Sequence, residues 1–458
     1  MSGRSYKENE CGVSSFGNVS PNHTVRGGID GVIPRRSEDF IFLLAGALLR
    51  IDVYVLGRLS AAELFFLLCL PFCLQRGGSS TAIVKKFYWL ISAWVFAVII
   101  SDLWNSTDPN LMLRGLGRPL IILIMFMTMV RILADNLTSV KFFFIGLLFS
   151  GILNTVFHTD FRAAQLEVAE AYSYYAFVYT PLVIATVSLA AWMLGQKSRV
   201  AAAAFLVVAA FLVSLNFSRT TAMIFLFTAI INIYWHSLYR VFLRCRRGMG
   251  TTLSIVIFGA FTVGVLFLLL SIYISLALDG ILGARIAEKV FDQTQTPLSS
   301  PVINMILNGR HYNISNYFMI VDNPIFGTGS WPVEGPYVFR AMEFLGNSVS
   351  DAEYVGIADN RGIGHSILFG SWANYGILPV FFWGFVASCT VRYITIIMQE
   401  DNKIRWLMTI YLVLFLISIF FNNLNSLNRV LAAMIPALLS ASLSAAERRR
   451  GYVKRTSY

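Results

Sequence analysis

Of the 458 residues, 56% are hydrophobic and 13% are charged, where a soluble domain carries roughly 25% charged residues. So few charges cannot coat a soluble surface of this size, and lipid is the expected solvent for most of it. The formal net charge of +11 gathers in short segments between apolar runs, so membrane topology accounts for it and no nucleic-acid partner is called for.

The first segment, 1–39, is polar and rich in Gly, Ser and Asn, without the apolar core of a cleaved signal. It reads as a flexible cytoplasmic tail. Apolar runs follow at 40–56, 61–74, 87–103, 119–130, 142–157, 173–194, 200–217, 220–235, 253–278, 364–389, 404–421 and 427–445. Crossing a hydrocarbon core of roughly 30 Å takes about 20 helical residues, and only a helix satisfies its backbone amides within one segment. The expectation is an all-α integral membrane protein with about twelve spans and no barrel-type strands. Arg50, Asp52, Arg58 and Glu63 crowd the first two runs, which leaves open whether both cross.

Lys85, Lys86, Arg244, Arg246, Arg247, Arg392, Lys403, Arg448, Arg449 and Arg450 fall on one side of these runs. Arg58, Arg114, Arg118, Arg162, Arg219 and Arg429 fall on the other, sparser side. The asymmetry predicts cytoplasmic termini and puts the second group outside. Cys69 and Cys73 share a helix face by their spacing and read as packing residues rather than metal ligands.

The chain divides into N-terminal membrane helices (40–199), a central domain (200–389) and C-terminal helices with a basic tail (390–458). Within the central domain, 279–362 is a long outer loop with enough Ile, Tyr and Phe to fold. Its stretch 304–321 reads as one helix stopped by Asn323-Pro324. A stabilising cap and a lid over a site are both open readings of such a loop.

Three outer stretches carry candidate chemistry. Arg219 follows Ser218 at the mouth of a span, where a cation is costly unless it snorkels or meets an anion. Arg310 opens the loop helix, where it can also be merely solvated. The stretch Arg361-Gly362-Ile363-Gly364-His365-Ser366 enters a long apolar run, and His365 is the side chain best suited to move a proton near neutral pH. Asp351 and Glu353 form a D-x-E pair that reads as exposed carboxylates, so no metal is expected. Asn422, Asn423, Asn425, Asn428 and Arg429 form a further polar cluster, either a plain hairpin turn or a binding surface for sugar and phosphate.

Taken in order, Ser218-Arg219, Gly309-Arg310, the run from Asp322 through Asn323-Pro324 to Gly327-Thr328-Gly329, and His365-Ser366 with Gly376 resemble a known pattern. The region 200–384 is similar to the shared domain of bacterial O-antigen ligases and Wzy-type O-antigen polymerases. Pro379 stands where ligases often carry a small residue, which leans the resemblance towards polymerase. The resemblance implies a GT-C-like glycosyltransferase in the bacterial inner membrane, acting at the periplasmic face on an undecaprenyl diphosphate-linked glycan. It implies no cofactor or metal, an acceptor glycan or lipid A core, and a chain-length regulator as a further partner. Arg219 and Arg310 would stabilise the leaving diphosphate and His365 would take the acceptor proton, which makes them the catalytic candidates. Ser218, Ser366, Arg361, Arg429 and Trp331 are the substrate-binding candidates. Tyr337 and Tyr354 could stack on sugars beside Trp331, while Trp372 and Tyr375 read as interfacial aromatics. A transporter or flippase of lipid-linked glycans is the competing class, though the two halves show no internal repeat.

Overall fold

A computed structural model describes residues 35–54, 58–75, 81–134, 136–157, 179–216, 219–249, 264, 267–268, 270–294, 300–308, 311–346, 366–399 and 404–456. The fold is mostly helical, and among the described residues five helices are long and apolar enough to cross a membrane. That is the architecture of an all-α membrane protein. In chain order come α1 (Arg35–Ala47), α2 (Ala61–Leu74), α3 (Ala82–Trp104), α4 (Pro109–Leu133), α5 (Val140–Phe157) and α6 (Thr180–Lys197). Then follow α7 (Arg199–Asn216), α8 (Arg219–Met249), α9 (Ala284–Thr294), α10 (Pro301–Asn308), α11 (His311–Asp322) and α12 (Gly335–Phe344). The chain closes with α13 (Ile367–Tyr375), α14 (Leu378–Gln399), α15 (Arg405–Phe421) and α16 (Ser426–Thr456).

The centre of the bundle is α16, whose residues 430–441 are all buried. It packs on α3, α4 and α14, and α3 in turn holds α4 and α14. Aromatic rings fill that centre: Phe87 stacks on Phe126 at 3.7 Å, and Trp94 meets Phe382 and Trp383. A second group runs α1, α5, α6, α7 and α8, each against the next, and α15 closes it through α6 and α8. Gly46 and Gly146 let α1 and α5 touch backbone to backbone, since a Cβ on either would collide with a carbonyl of the other helix. Phe96 on α3, Phe149 and Ile152 on α5, Phe211 and Leu212 on α7, and Phe381 on α14 stay exposed. Large apolar side chains facing outwards along apolar helices form the surface that lipid covers.

The structure corrects several expectations from sequence. The run 40–56 is not one span: α1 stops at Ala47, and the strands β1 (Asp52–Tyr54) and β2 (Arg58–Ser60) pair antiparallel behind it. Arg58 closes that ribbon by binding Asp52 at 2.8 Å, so the charges that made this region ambiguous break the helix. The run 364–389 is two helices, α13 and α14, divided at Gly376. Of the stretch 304–321, the described residues are helical on either side of 309–310, in α10 and α11, and the stop before Asn323-Pro324 stands. Conversely α4 begins ten residues before the expected 119 and runs through Pro119. Proline lacks the N–H and usually ends a helix in water, but neighbours in a bundle can support the interrupted ladder.

The loop has small cores. Val290, Val302 and Met305 form one together with Ile274 and Ala277 of the apolar segment before the loop, and Ile314, Ala341 and Leu345 form another. Asp322 binds Arg340 at 3.2 Å and the Arg340 guanidinium lies 4.3 Å from the Phe318 ring, which ties α11 to α12. Burial pushes the nearby Tyr337 hydroxyl above its ordinary pKa, with the Asp322 charge adding and Arg340 opposing.

Candidate functional site

At one end of the bundle α4, α6, α8, α13 and α15 enclose a cavity of about 800 Å³, a volume within the usual range for ligand sites. Its walls are chemically mixed. Leu120, Ile121, Ile124, Leu147, Ile184 and Ile224 are among its apolar residues. Arg50, Arg58, Arg114, Arg118 and Arg429 also line it, against Asp52 as the only carboxylate among the described lining residues.

These arginines differ in their company. Arg58 is held by Asp52. Arg429 meets Glu63 through Nε and, at 2.9 Å, through Nη2, and donates from Nη1 to the Leu424 carbonyl at 2.9 Å. Glu63 is fully buried, and its carboxylate also accepts from the Ser60 N–H at 2.8 Å, which makes the capping box that starts α2. Arg429 is thus a tether between α2 and the start of α16, and its fork is occupied. Arg114 and Arg118 are different: neither has a carboxylate or hydrogen-bond partner among the described residues. They lie one turn apart on α4 with Gly117 between them, where an added Cβ would meet nothing. Arg114 is exposed and Arg118 partly so, and two guanidinium forks one turn apart with no carboxylate beside them mark a place for an anion.

The Arg118 guanidinium lies 4.4 Å from the centre of the Trp331 ring. Trp331 reaches it through a tightly built segment. Gly327 (φ 72°), Gly329 (φ 87°) and Trp331 (φ 58°) all occupy left-handed conformations. Thr328 and Gly329 donate from their N–H groups to the carbonyls of Ala373 and Asn374, both at 2.9 Å. Gly376 (φ 76°) ends α13 so close to Ile325 that a Cβ would strike the Ile325 carbonyl. The glycine-rich segment and the helix after His365 are therefore one unit, and only glycine fits where their backbones touch.

Ser366 lines the cavity and caps α13: its Oγ accepts from the Phe369 N–H at 3.1 Å and donates to the Ile419 carbonyl at 3.2 Å. Thr220 and Thr221, the residues after Arg219, line the cavity as well. The turn 422–425 and the first residues of α16 also line it, and the two are bonded together, with Asn428 Nδ2 donating to the Asn423 carbonyl at 2.9 Å. Trp372 donates to the Pro324 carbonyl at 2.8 Å and Tyr375 is buried against the bundle, so both serve packing. Tyr337 sits in α12, away from the cavity lining. Ser218, Arg310, Tyr354, Arg361, His365 and the pair Asp351 and Glu353 lie outside the described residues, as does the Arg219 side chain.

Sequence reasoning passed over Arg114 and Arg118, counted only as outer-loop charges, and Asp102, hidden inside an apolar run. A signal existed for each. The two arginines are spaced by one helical turn, and an acid within a span is a functional candidate on cost alone. No family model matches the chain, and no curated protein matches it.

Proposed function

We propose that the protein is a membrane glycosyltransferase of the O-antigen ligase and polymerase kind. It would move a glycan from undecaprenyl diphosphate onto a sugar hydroxyl at the periplasmic face of a bacterial inner membrane. A GT-C-like bundle of about twelve spans is part of the proposal. The observation that carries it is the mixed lining of the cavity: Arg114 and Arg118, without carboxylate partners among the described residues, are followed along α4 by Leu120, Ile121 and Ile124, which line the same cavity. An isoprenoid diphosphate likewise joins an apolar tail to an anionic head. The motif residues supply the second support. Thr220 and Ser366, chain neighbours of Arg219 and His365, line that same cavity.

In this reading the acceptor hydroxyl attacks the anomeric carbon of the donor sugar, a new glycosidic bond forms, and the sugar–phosphate bond breaks. His365 takes the hydroxyl proton as general base. The electrons of the broken bond pass to the diphosphate, where cationic side chains including Arg114, Arg118 and Arg219 stabilise the added charge. The turn 422–425 and the Trp331 edge border the space left for sugars. Polymerisation of repeat units is the reading retained, resting on the Pro379 departure. Ligation to lipid A core differs only in the acceptor.

The test is the glycan profile of cells carrying His365→Ala at normal protein levels. Loss of long chains with single repeat units still reaching their acceptor identifies a polymerase. Long chains that persist on the lipid carrier identify a ligase. An unchanged profile removes His365 from catalysis and revives a transport reading.

A further inference from the structure

The least expected group near the cavity is a carboxylate inside a membrane helix. Asp102 lies in the last turns of α3 and is 1% exposed. It does not meet an arginine. Its two oxygens take both donors of one residue of the glycine-rich segment: the Ser330 N–H at 2.5 Å and the Ser330 Oγ at 2.8 Å. The neighbouring side chain repeats the design, since Ser101 Oγ accepts from the Gly329 N–H at 3.1 Å. Gly115 of α4 leaves the room for this contact, because a Cβ there would collide with Ser330 Oγ.

The residue after Ser330 is Trp331, held at φ 58° although it is not glycine. A bulky residue keeps that conformation only where its neighbours over-determine it. Here the over-determining contact is the doubly bonded Ser330. The result is an indole face 4.4 Å from the Arg118 guanidinium, which removes much of the rotamer freedom of a long cationic side chain. The Trp331 indole N–H is itself buried and has no partner among the described residues, so one donor is left for a ligand beside the cation.

We propose that Asp102 is a positioning residue: through Ser330 it locks Trp331, and through Trp331 it sets the Arg118 guanidinium and an indole N–H as a paired clamp for the anionic head of the lipid-linked substrate. This rests on the head-group reading of the cavity. Asp102 touches no substrate. Its contribution is the pre-organisation of two groups that do.

The experiment is a double-mutant cycle on the purified full chain in nanodiscs, titrated with undecaprenyl diphosphate, with Kd as the readout. Asp102→Ala and Arg118→Gln each weaken binding by about tenfold, and the double variant falls well short of the roughly hundredfold loss that additivity gives, because Asp102 acts in part through Arg118. A merely structural Asp102 gives full additivity, and that result overturns the proposal while leaving the head-group reading intact. If Arg118→Gln alone binds like wild type, the head-group reading itself fails. Ser330→Ala, which removes one of the two contacts and retains the backbone one, replaces Asp102→Ala in the same cycle if the latter does not fold. Trp331→Phe separates the indole N–H from the ring face: it keeps the cation contact and loses part of the affinity. Wild-type affinity in Trp331→Phe overturns the donor role of the N–H.

Discussion

Arginines at one end of this bundle fall into two kinds, and the difference lies in what each guanidinium touches. Arg429 is spent on Glu63 in a buried bidentate pair. Removing one partner of such a pair leaves an uncompensated charge and costs about 3–5 kcal/mol. Glu63→Ala is therefore expected to lower Tm in detergent strongly, and to do so even where the cavity is not occupied. Arg114 has no carboxylate partner among the described residues and faces the cavity. Replacing it with Gln removes an unpaired cation, so Arg114→Gln is expected to leave Tm unchanged or raised while donor affinity falls. A thermal melt beside a binding titration separates the two kinds. A drop in Tm for Arg114→Gln as large as that for Glu63→Ala would put Arg114 among the structural residues.

At the scale of elements, the unit that matters is the glycine-rich segment zipped to the end of α13. Gly327 and Gly376 have positive φ and backbone neighbours where a Cβ would stand. Alanine at either position carries strain of about 1–3 kcal/mol for the conformation, with the collision added. Both variants are expected to open 322–332 to limited proteolysis, whereas Gly117→Ala, with nothing near its added Cβ, leaves the protease pattern as in wild type. These glycines were legible in the sequence as a pattern, but their reason was not: the contact joins residues about fifty apart, and no local signal reports it. Element boundaries failed for the same kind of reason. Pro119 opened the expected run 119–130, a usual place for proline at a helix start, yet α4 runs through it with Gly115 pressed against Ser330 and Arg114 and Arg118 carried on its first half. The fault at Gly376 was invisible from within the apolar run 364–389, because it is imposed by Ile325 from another segment. The hairpin at 52–60 could have been foreseen, since Asp52 and Arg58 are natural partners across a short ribbon.

For the whole molecule, composition alone carried the membrane assignment, and exposed rings such as Phe96, Phe149 and Phe381 agree with a lipid-facing surface. The positive-inside asymmetry predicts that the cavity rim at 422–425 and the C-terminal tail face opposite compartments, with α16 as the connecting span. In a cysteine-free background, Asn425→Cys is expected to react with a membrane-impermeant maleimide on intact cells. Ser457→Cys should react only after the inner membrane is opened. Labelling of both positions from the same side contradicts that topology and with it the proposed periplasmic site. What the sequence held of the site was its outline. Of the motif stretches, Ser366 and the residues after Arg219 line the cavity, while the cations on α4 and the carboxylate on α3 come into view only once α3, α4 and α13 are packed together.

The central claim is that this cavity holds an anionic lipid head for glycosyl transfer. Its most direct test is turnover of a lipid-linked repeat unit by the reconstituted chain carrying Arg114→Gln together with Arg118→Gln. The account predicts a folded protein with wild-type Tm and turnover reduced by roughly 10²-fold or more, the scale on which preorganised charge stabilisation acts. Wild-type turnover by that folded double variant would contradict it.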